Sequence, residues 1–155
     1  MPSSWEEPFG RTAIEAASRG CATIISKRGG LIETVPNTIF LTQLNDKELY
    51  KKIFKIRKKE SIVSSNTSTI PLKILSQNLS KEDKKDFCIT HFFNPVRYMD
   101  LLEVVKNEFT DKEKINFLKI FCESFLGKGV ILCNDTPGFL GNRVGVYAMQ
   151  VAMTE

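Results

Sequence analysis

Short apolar runs alternate with amphipathic segments along the chain, and that alternation limits the folds open to it. Cys21–Ser26 (CATIIS), Asn37–Thr42, Ser61–Ser65 (SIVSS), Cys88–Phe93, Leu101–Val105 (LLEVV) and Val130–Cys133 read as short strands of the buried type. Helical patterns lie between them. In residues 10–19, Ala13, Ile14 and Ala17 share one face, while Arg11, Glu15 and Arg19 form a charged i,i+4 ladder. Asn45 with Glu48, and Thr110 with Glu113, have the spacing of a capping box. The first opens a helix that buries Leu49, Tyr50, Ile53 and Phe54; the second opens a helix that runs to Leu126 and stops on Gly127. Pro71–Gln77 reads as a short helix, and Thr136-Pro137 starts a final one with proline in its first turn. Strand–helix–strand alternation predicts an α/β layer fold with a mostly parallel sheet and flanking helices.

With 155 residues there is room for one domain of ordinary size with a real core. The net charge of +4 is modest, and the basic run Lys55–Lys59 sits at a helix end, where it complements the dipole; no nucleic-acid partner is expected. Four cysteines without CxxC spacing, and a single histidine, argue against a metal site or a disulfide framework and suit a reducing cytoplasm. No run of about eighteen apolar residues is long enough for a membrane span, and the first residues do not read as a signal peptide. Both ends read as cut: the last helix reaches Glu155 still amphipathic, and no strand leads into Pro2.

His91, the only histidine, is followed by FFNP, and Glu103 lies within the apolar strand LLEVV. A carboxylate buried in a strand is costly without a partner, and a histidine on a neighbouring strand is one such partner. Bound to one imidazole nitrogen, the carboxylate would fix the tautomer and make the other nitrogen a better base. A structural histidine beside a glutamate facing water satisfies the same spacing.

SSNTSTIP, HFFNPVRYMDLLEVV, LGKGV and NDTPGFLGNR, in this order and at these separations, resemble the 3-hydroxyacyl-CoA dehydrogenase family over about residues 56–155. The resemblance implies a Rossmann-like fold with NAD as cofactor and an acyl-CoA as substrate. It implies that His91 takes the proton of the substrate's 3-hydroxyl as hydride leaves C3 for the nicotinamide, and that Glu103 holds His91 and offsets its developing charge. Ser68 and Asn142 would bind the substrate oxygen or the thioester carbonyl, and Asn66 would meet the nicotinamide end of the cofactor. Ordinary turn chemistry also accounts for Asn66 and Ser68, and a solvent-facing helix position for Asn142. The family's pyrophosphate-binding fingerprint, GxGxxG, occurs nowhere in the chain. The all-helical domain through which family members often form homodimers is represented only by Pro137–Glu155.

A second resemblance covers about residues 2–53. PSSWEEPFG, EAASRG and GGLIETV are similar to the donor-binding domain of retaining glycosyltransferases built from two Rossmann-like domains. There Glu7 would contact the donor sugar and Glu15 the ribose of the nucleotide; the charged ladder is the plainer account of Glu15. The expected organisation is therefore a glycosyltransferase-like αβ fragment (1–54), the C-terminal half of a dehydrogenase NAD-binding domain (55–136) and the start of its all-α domain (137–155). The leading expectation is a partial NAD-dependent 3-hydroxyacyl-CoA dehydrogenase of fatty-acid β-oxidation, inactive as an isolated chain. The alternatives are a glycosyltransferase remnant and a non-catalytic chimeric fragment.

Overall fold

A computed structural model describes residues 9–35, 37–41 and 45–154. Contacts group them into two compact units, Met1–Arg57 and Lys58–Glu155.

The first unit contains α1 (Arg11–Ser18), β1 (Ile24–Ser26), α2 (Leu31–Thr34), β2 (Ile39–Leu41) and α3 (Asp46–Ile56). Strands β1 and β2 are parallel, with Ile24 opposite Ile39. The core is Ala13, Ile25, Leu31 and Val35, with Ile14, Ala17 and Phe40 against it, so the predicted apolar face of α1 is the one that packs. Gly10, at the head of α1, has φ of 60°, and a Cβ there would lie 2.3 Å from Leu31 Cδ2, so only glycine fits. Asn45 caps α3 as expected: its Oδ1 accepts from Glu48 N at 2.8 Å. Both predicted strands are shorter than their apolar runs.

The second unit contains β3 (Val63–Ser65), α4 (Leu72–Leu75), α5 (Lys81–Lys85), β4 (Phe87–Phe92), β5 (Leu101–Val105), α6 (Lys112–Leu126), β6 (Gly129–Cys133) and α7 (Gly141–Thr154). Its sheet has the order β3-β4-β5-β6. The β3–β4 and β5–β6 pairs are parallel, and β4–β5 is antiparallel. Because side chains alternate along a strand, this register puts the even-numbered residues of β4–β6 on one face and the odd-numbered ones on the other. Cys88, Leu102 and Val104 on the even face pack with Ile115 and Cys122 of α6, with Ile62, Phe92, Leu118 and Val130 against them. Burying each such Leu or Val contributes about 1.5–3 kcal/mol. The odd face of β4 and β5 carries Phe87, Ile89, His91, Glu103 and Val105, all buried.

Two predicted helix starts move. Asp111, rather than Thr110, caps α6: its Oδ1 accepts from Glu113 N at 2.8 Å and Lys114 N at 3.3 Å. Thr110 is drawn inward instead, donating to Phe87 O at 3.1 Å and accepting from Asn107 N at 3.0 Å. The last helix starts at Gly141, not at Pro137, because Gly138 (φ 74°) and Phe139 (φ 47°) adopt left-handed backbone. That turn buries the Phe139 ring, 1% exposed, beside His91. The predicted stop of α6 at Gly127 (φ 64°) is observed, with Lys128 N donating to Cys122 O at 3.1 Å. The short helices α2 and α5 had no strong periodic signal.

Candidate active site

The antiparallel register sets His91 directly opposite Glu103, so both side chains leave the same face of the sheet. His91 Nδ1 and Glu103 Oε2 lie 2.7 Å apart, with His91 4% and Glu103 0% exposed. The other carboxylate oxygen, Oε1, accepts from Leu140 N at 2.8 Å and Gly141 N at 2.7 Å, and Cys133 Sγ lies 3.6 Å away. Burial pushes the Glu103 carboxyl up, but the hydrogen bonds from His91, Gly141 and Leu140 outweigh it and hold the carboxyl below its ordinary range. An ionised Glu103 can only accept, so Nδ1 of the neutral imidazole carries the proton and Nε2 the lone pair. Burial and the neighbouring Glu103 charge push the Cys133 thiol up to about 11, so it stays protonated and can donate weakly to Oε1.

Among the described residues Nε2 makes no hydrogen bond. The one fully buried, unpartnered side-chain polar atom among them is Asn107 Nδ2, and His91 Nε2 is not of that kind. The ring is packed against Phe93, with centroids 4.5 Å apart, and Phe139, 5.8 Å apart. A Cβ on Gly141 would come within 2.5 Å of Phe93 Cζ, so glycine there lets the Glu103 donor and the ring beside His91 share the space.

The other predicted residues gather on the same sheet edge. Strands β3 and β4 are parallel, so their carboxyl ends face the same edge, with Ser65 at the end of β3 opposite Ile89 and β4 running on to Phe92. Asn66, just past β3, accepts from Phe92 N at 2.9 Å through Oδ1 and ties the two ends together next to His91. Ser68 is exposed in the turn that follows, and its carbonyl accepts from Asn142 Nδ2 at 2.9 Å. Asn142 therefore holds the turn, and its neighbour Gly141 holds Glu103. A cleft of about 410 Å³ adjoins this corner, lined by Thr69, Pro137, Asn142, Val146, Tyr147 and Gln150 among others.

Sequence reasoning gave no role to Asp135, Cys133 or Lys128. Asp135 accepts from Leu72 N at 2.6 Å and Lys73 N at 2.8 Å. Lys128 Nζ donates to Val96 O at 2.6 Å and Met99 O at 2.7 Å, fixing the loop between β4 and β5. All three lie in or beside the LGKGV and NDTPGFLGNR blocks, which were the available signal. Of the alternative pair, Glu7 lies outside the described residues. Glu15 is exposed on α1, 3.9 Å from Arg11, as the ladder predicts. No group of His, Cys, Asp and Glu among the described residues could hold a metal ion, and none of their helices is long and apolar enough to cross a membrane.

The family described as 3-hydroxyacyl-CoA dehydrogenase, NAD binding domain, matches residues 18–136. The match extends back through most of the segment that resembles a glycosyltransferase, and that second resemblance has no support among the comparisons. The putative fatty acid oxidation complex trifunctional enzyme of Rickettsia prowazekii is 46% identical over 106 residues, 68% of this chain and 15% of that protein. The probable 3-hydroxyacyl-CoA dehydrogenase of Deinococcus radiodurans is 43% identical over 106 residues, 68% of this chain and 31% of that one. Among solved structures, (S)-3-hydroxybutyryl-CoA dehydrogenase from Ralstonia eutropha matches with a TM-score of 0.58 at 25% identity, over 85% of this chain and 41% of that one. The chain thus spans less than a third of the length of these two curated relatives. With a sheet of the same class and the family profile matched over most of its length, the chain belongs to the NAD-binding-domain family of 3-hydroxyacyl-CoA dehydrogenases.

Proposed function

We propose that this chain carries the proton-transfer half of a 3-hydroxyacyl-CoA dehydrogenase, in which a 3-hydroxyacyl-CoA is oxidised at C3 and NAD accepts the hydride. The observation that carries this reading is the buried His91–Glu103 pair at 2.7 Å with Nε2 left open. NAD, when bound, supplies the hydride acceptor. The edge of β3 and β4 suits its nicotinamide end: Asn66 spends Oδ1 on Phe92 N, which leaves its Nδ2 group for a carboxamide. The chain contains no GxGxxG turn for the pyrophosphate.

Nε2 of His91 takes the substrate's hydroxyl proton, and the imidazolium so formed is offset by Glu103. The two amides on Oε1 keep that carboxylate from rotating away as the ring charges. The Ser68 hydroxyl binds the reacting oxygen, and Asn142, with Nδ2 committed to the Ser68 carbonyl, offers Oδ1 and its second N–H to substrate. The neighbouring cleft has the size to take part of an acyl chain. By the resemblance, residues 55–136 are read as the C-terminal half of the NAD-binding domain and 137–155 as the start of the all-α domain through which family members often form homodimers. The process is read as fatty-acid oxidation, the one named for the Rickettsia relative.

Little or no NAD-dependent turnover of 3-hydroxybutyryl-CoA is expected from this chain alone, because the pyrophosphate turn is missing; robust turnover abolished by His91→Ala would overturn that expectation. Binding tests the site itself. His91 is the only histidine, so its ring resonances report without overlap. Acetoacetyl-CoA should shift them, and CoA alone should not. Rings unmoved by millimolar acetoacetyl-CoA would sink the assignment.

A further inference from the structure

The proton-transfer scheme does not account for Asp135. Helix α4 follows Pro71, which has no side-chain acceptor, so the first amides of the helix need one from elsewhere. Asp135 supplies both oxygens from 63 and 62 residues away: Oδ1 accepts from Leu72 N and Oδ2 from Lys73 N. Ser68 lies four residues before Leu72, and the intervening turn is closed by Ile70 N donating to Thr67 Oγ1 at 3.2 Å. The Ser68 carbonyl is held by Asn142, and Glu103 by Leu140 N and Gly141 N. One eight-residue segment, Asp135–Asn142, therefore anchors the Ser68 turn at both ends and the His91 partner as well.

We propose that Asp135 is a positioning residue for Ser68, and that the segment Asp135–Asn142 sets Ser68 and the His91–Glu103 pair as one unit. The inference rests on the functional reading of Ser68 and His91. Between Leu72 and the Asn142 tie the backbone that carries Ser68 is held from both sides. Removing the Asp135 carboxylate strips two amides of a charged acceptor and frees one end of that turn. It also releases the start of the segment whose far end carries both amide donors to Glu103.

The test uses the full chain, isotopically labelled, with Asp135→Ala and Asp135→Asn. Four signals are followed by NMR: amide exchange at Leu72 and Lys73, the Ser68 amide shift, and the His91 ring resonances. In Asp135→Ala, exchange at Leu72 and Lys73 should quicken about tenfold or more, the scale of a lost bond to a charged group. The Ser68 amide and the His91 ring should shift with it. Asp135→Asn keeps one accepting oxygen, so one of the two amides should regain protection, and the Ser68 and His91 signals should shift by less than in Asp135→Ala but remain displaced from their original positions. Faster exchange at Leu72 and Lys73 with Ser68 and His91 unmoved would make Asp135 a local helix cap and overturn the proposal. If Asp135→Ala does not fold, Asp135→Asn decides by the same signals: a shift at Ser68 and His91 supports the coupling, and none overturns it. None of these readouts needs substrate, so a failure of the chain to bind acetoacetyl-CoA would count against the functional reading alone.

Discussion

Two carboxylates, one from each unit, are placed in opposite ways. In the first, Glu15 sits on the outside of α1 with its side chain 69% exposed, 3.9 Å from a still more open Arg11. In the second, Glu103 is wholly buried and every oxygen is engaged, by a histidine, two backbone amides and a thiol. An exposed i,i+4 pair is screened and contributes little. A buried carboxylate costs several kcal/mol in lost hydration and persists only where its surroundings return that cost. Such an expense, in a strand that alanine or valine would fill more cheaply, makes the Glu103 pair the candidate site. The family profile covers most of both units, so the contrast lies in the placement of charge rather than in ancestry.

The sharpest way to break that contrast is Glu103→Ala, which leaves Leu140 N, Gly141 N and His91 Nδ1 without their acceptor. Chemical denaturation should show a loss of about 3–5 kcal/mol, the range for breaking a buried charged pair from one side. A loss under about 1 kcal/mol, the scale of an exposed pair, would remove the distinction between the units.

Acid should do the same reversibly. The Glu103 carboxyl lies below its ordinary range when folded, so as pH falls past about 4.3 the unfolded chain takes up the proton first. The stability it contributes is whole above the unfolded value, and it is lost as pH falls through the lowered folded value. Denaturation of wild type and Glu103→Gln at several pH values should show the wild type losing stability more steeply across that acid window. Parallel curves would contradict the sign.

Gly141→Ala tests the packing around the same carboxylate. Its Cβ would meet Phe93 Cζ at 2.5 Å and press that ring toward His91, for an expected loss of about 1–3 kcal/mol with a shifted His91 resonance. Unchanged stability and an unmoved ring would mean that Phe93 yields freely. The smallest effect belongs to the first unit: Glu15→Ala should change stability by less than about 0.5 kcal/mol in the same denaturation experiment. A larger loss would give Glu15 a role that the exposed ladder does not explain.

Much of the site was legible because strand periodicity carries it. LLEVV spans β5 to the residue, and the expected β4 is displaced by one position at each end. A histidine and a glutamate within apolar runs allowed a pairing, which the family resemblance then favoured over a glutamate facing water. The errors share a cause in contacts distant along the chain. Thr110 looked like a cap, but the Phe87 carbonyl recruits its hydroxyl and Asp111 caps the helix instead. Pro137 looked like a first turn, but burial of Phe139 beside His91 turns the backbone left-handed and delays α7 to Gly141. In the first fifty residues, short glutamate and glycine motifs suggested a different family. Such motifs are brief, and an exposed charged ladder with a glycine at the helix head also produces them.

The sequence by itself determined the α/β class, the strands that carry the candidate site and the presence of a histidine and a glutamate within them. Those depend on local periodicity and on the need of a buried charge for a partner. Only the tertiary structure decided which oxygen of Glu103 meets His91 and which meets the amides of Leu140 and Gly141. It also brought Asp135 to the head of α4 and Asn142 to the Ser68 carbonyl, across 62 to 74 residues. Hydrogen bonds over such separations follow from how the elements pack, and no spacing along the chain records them.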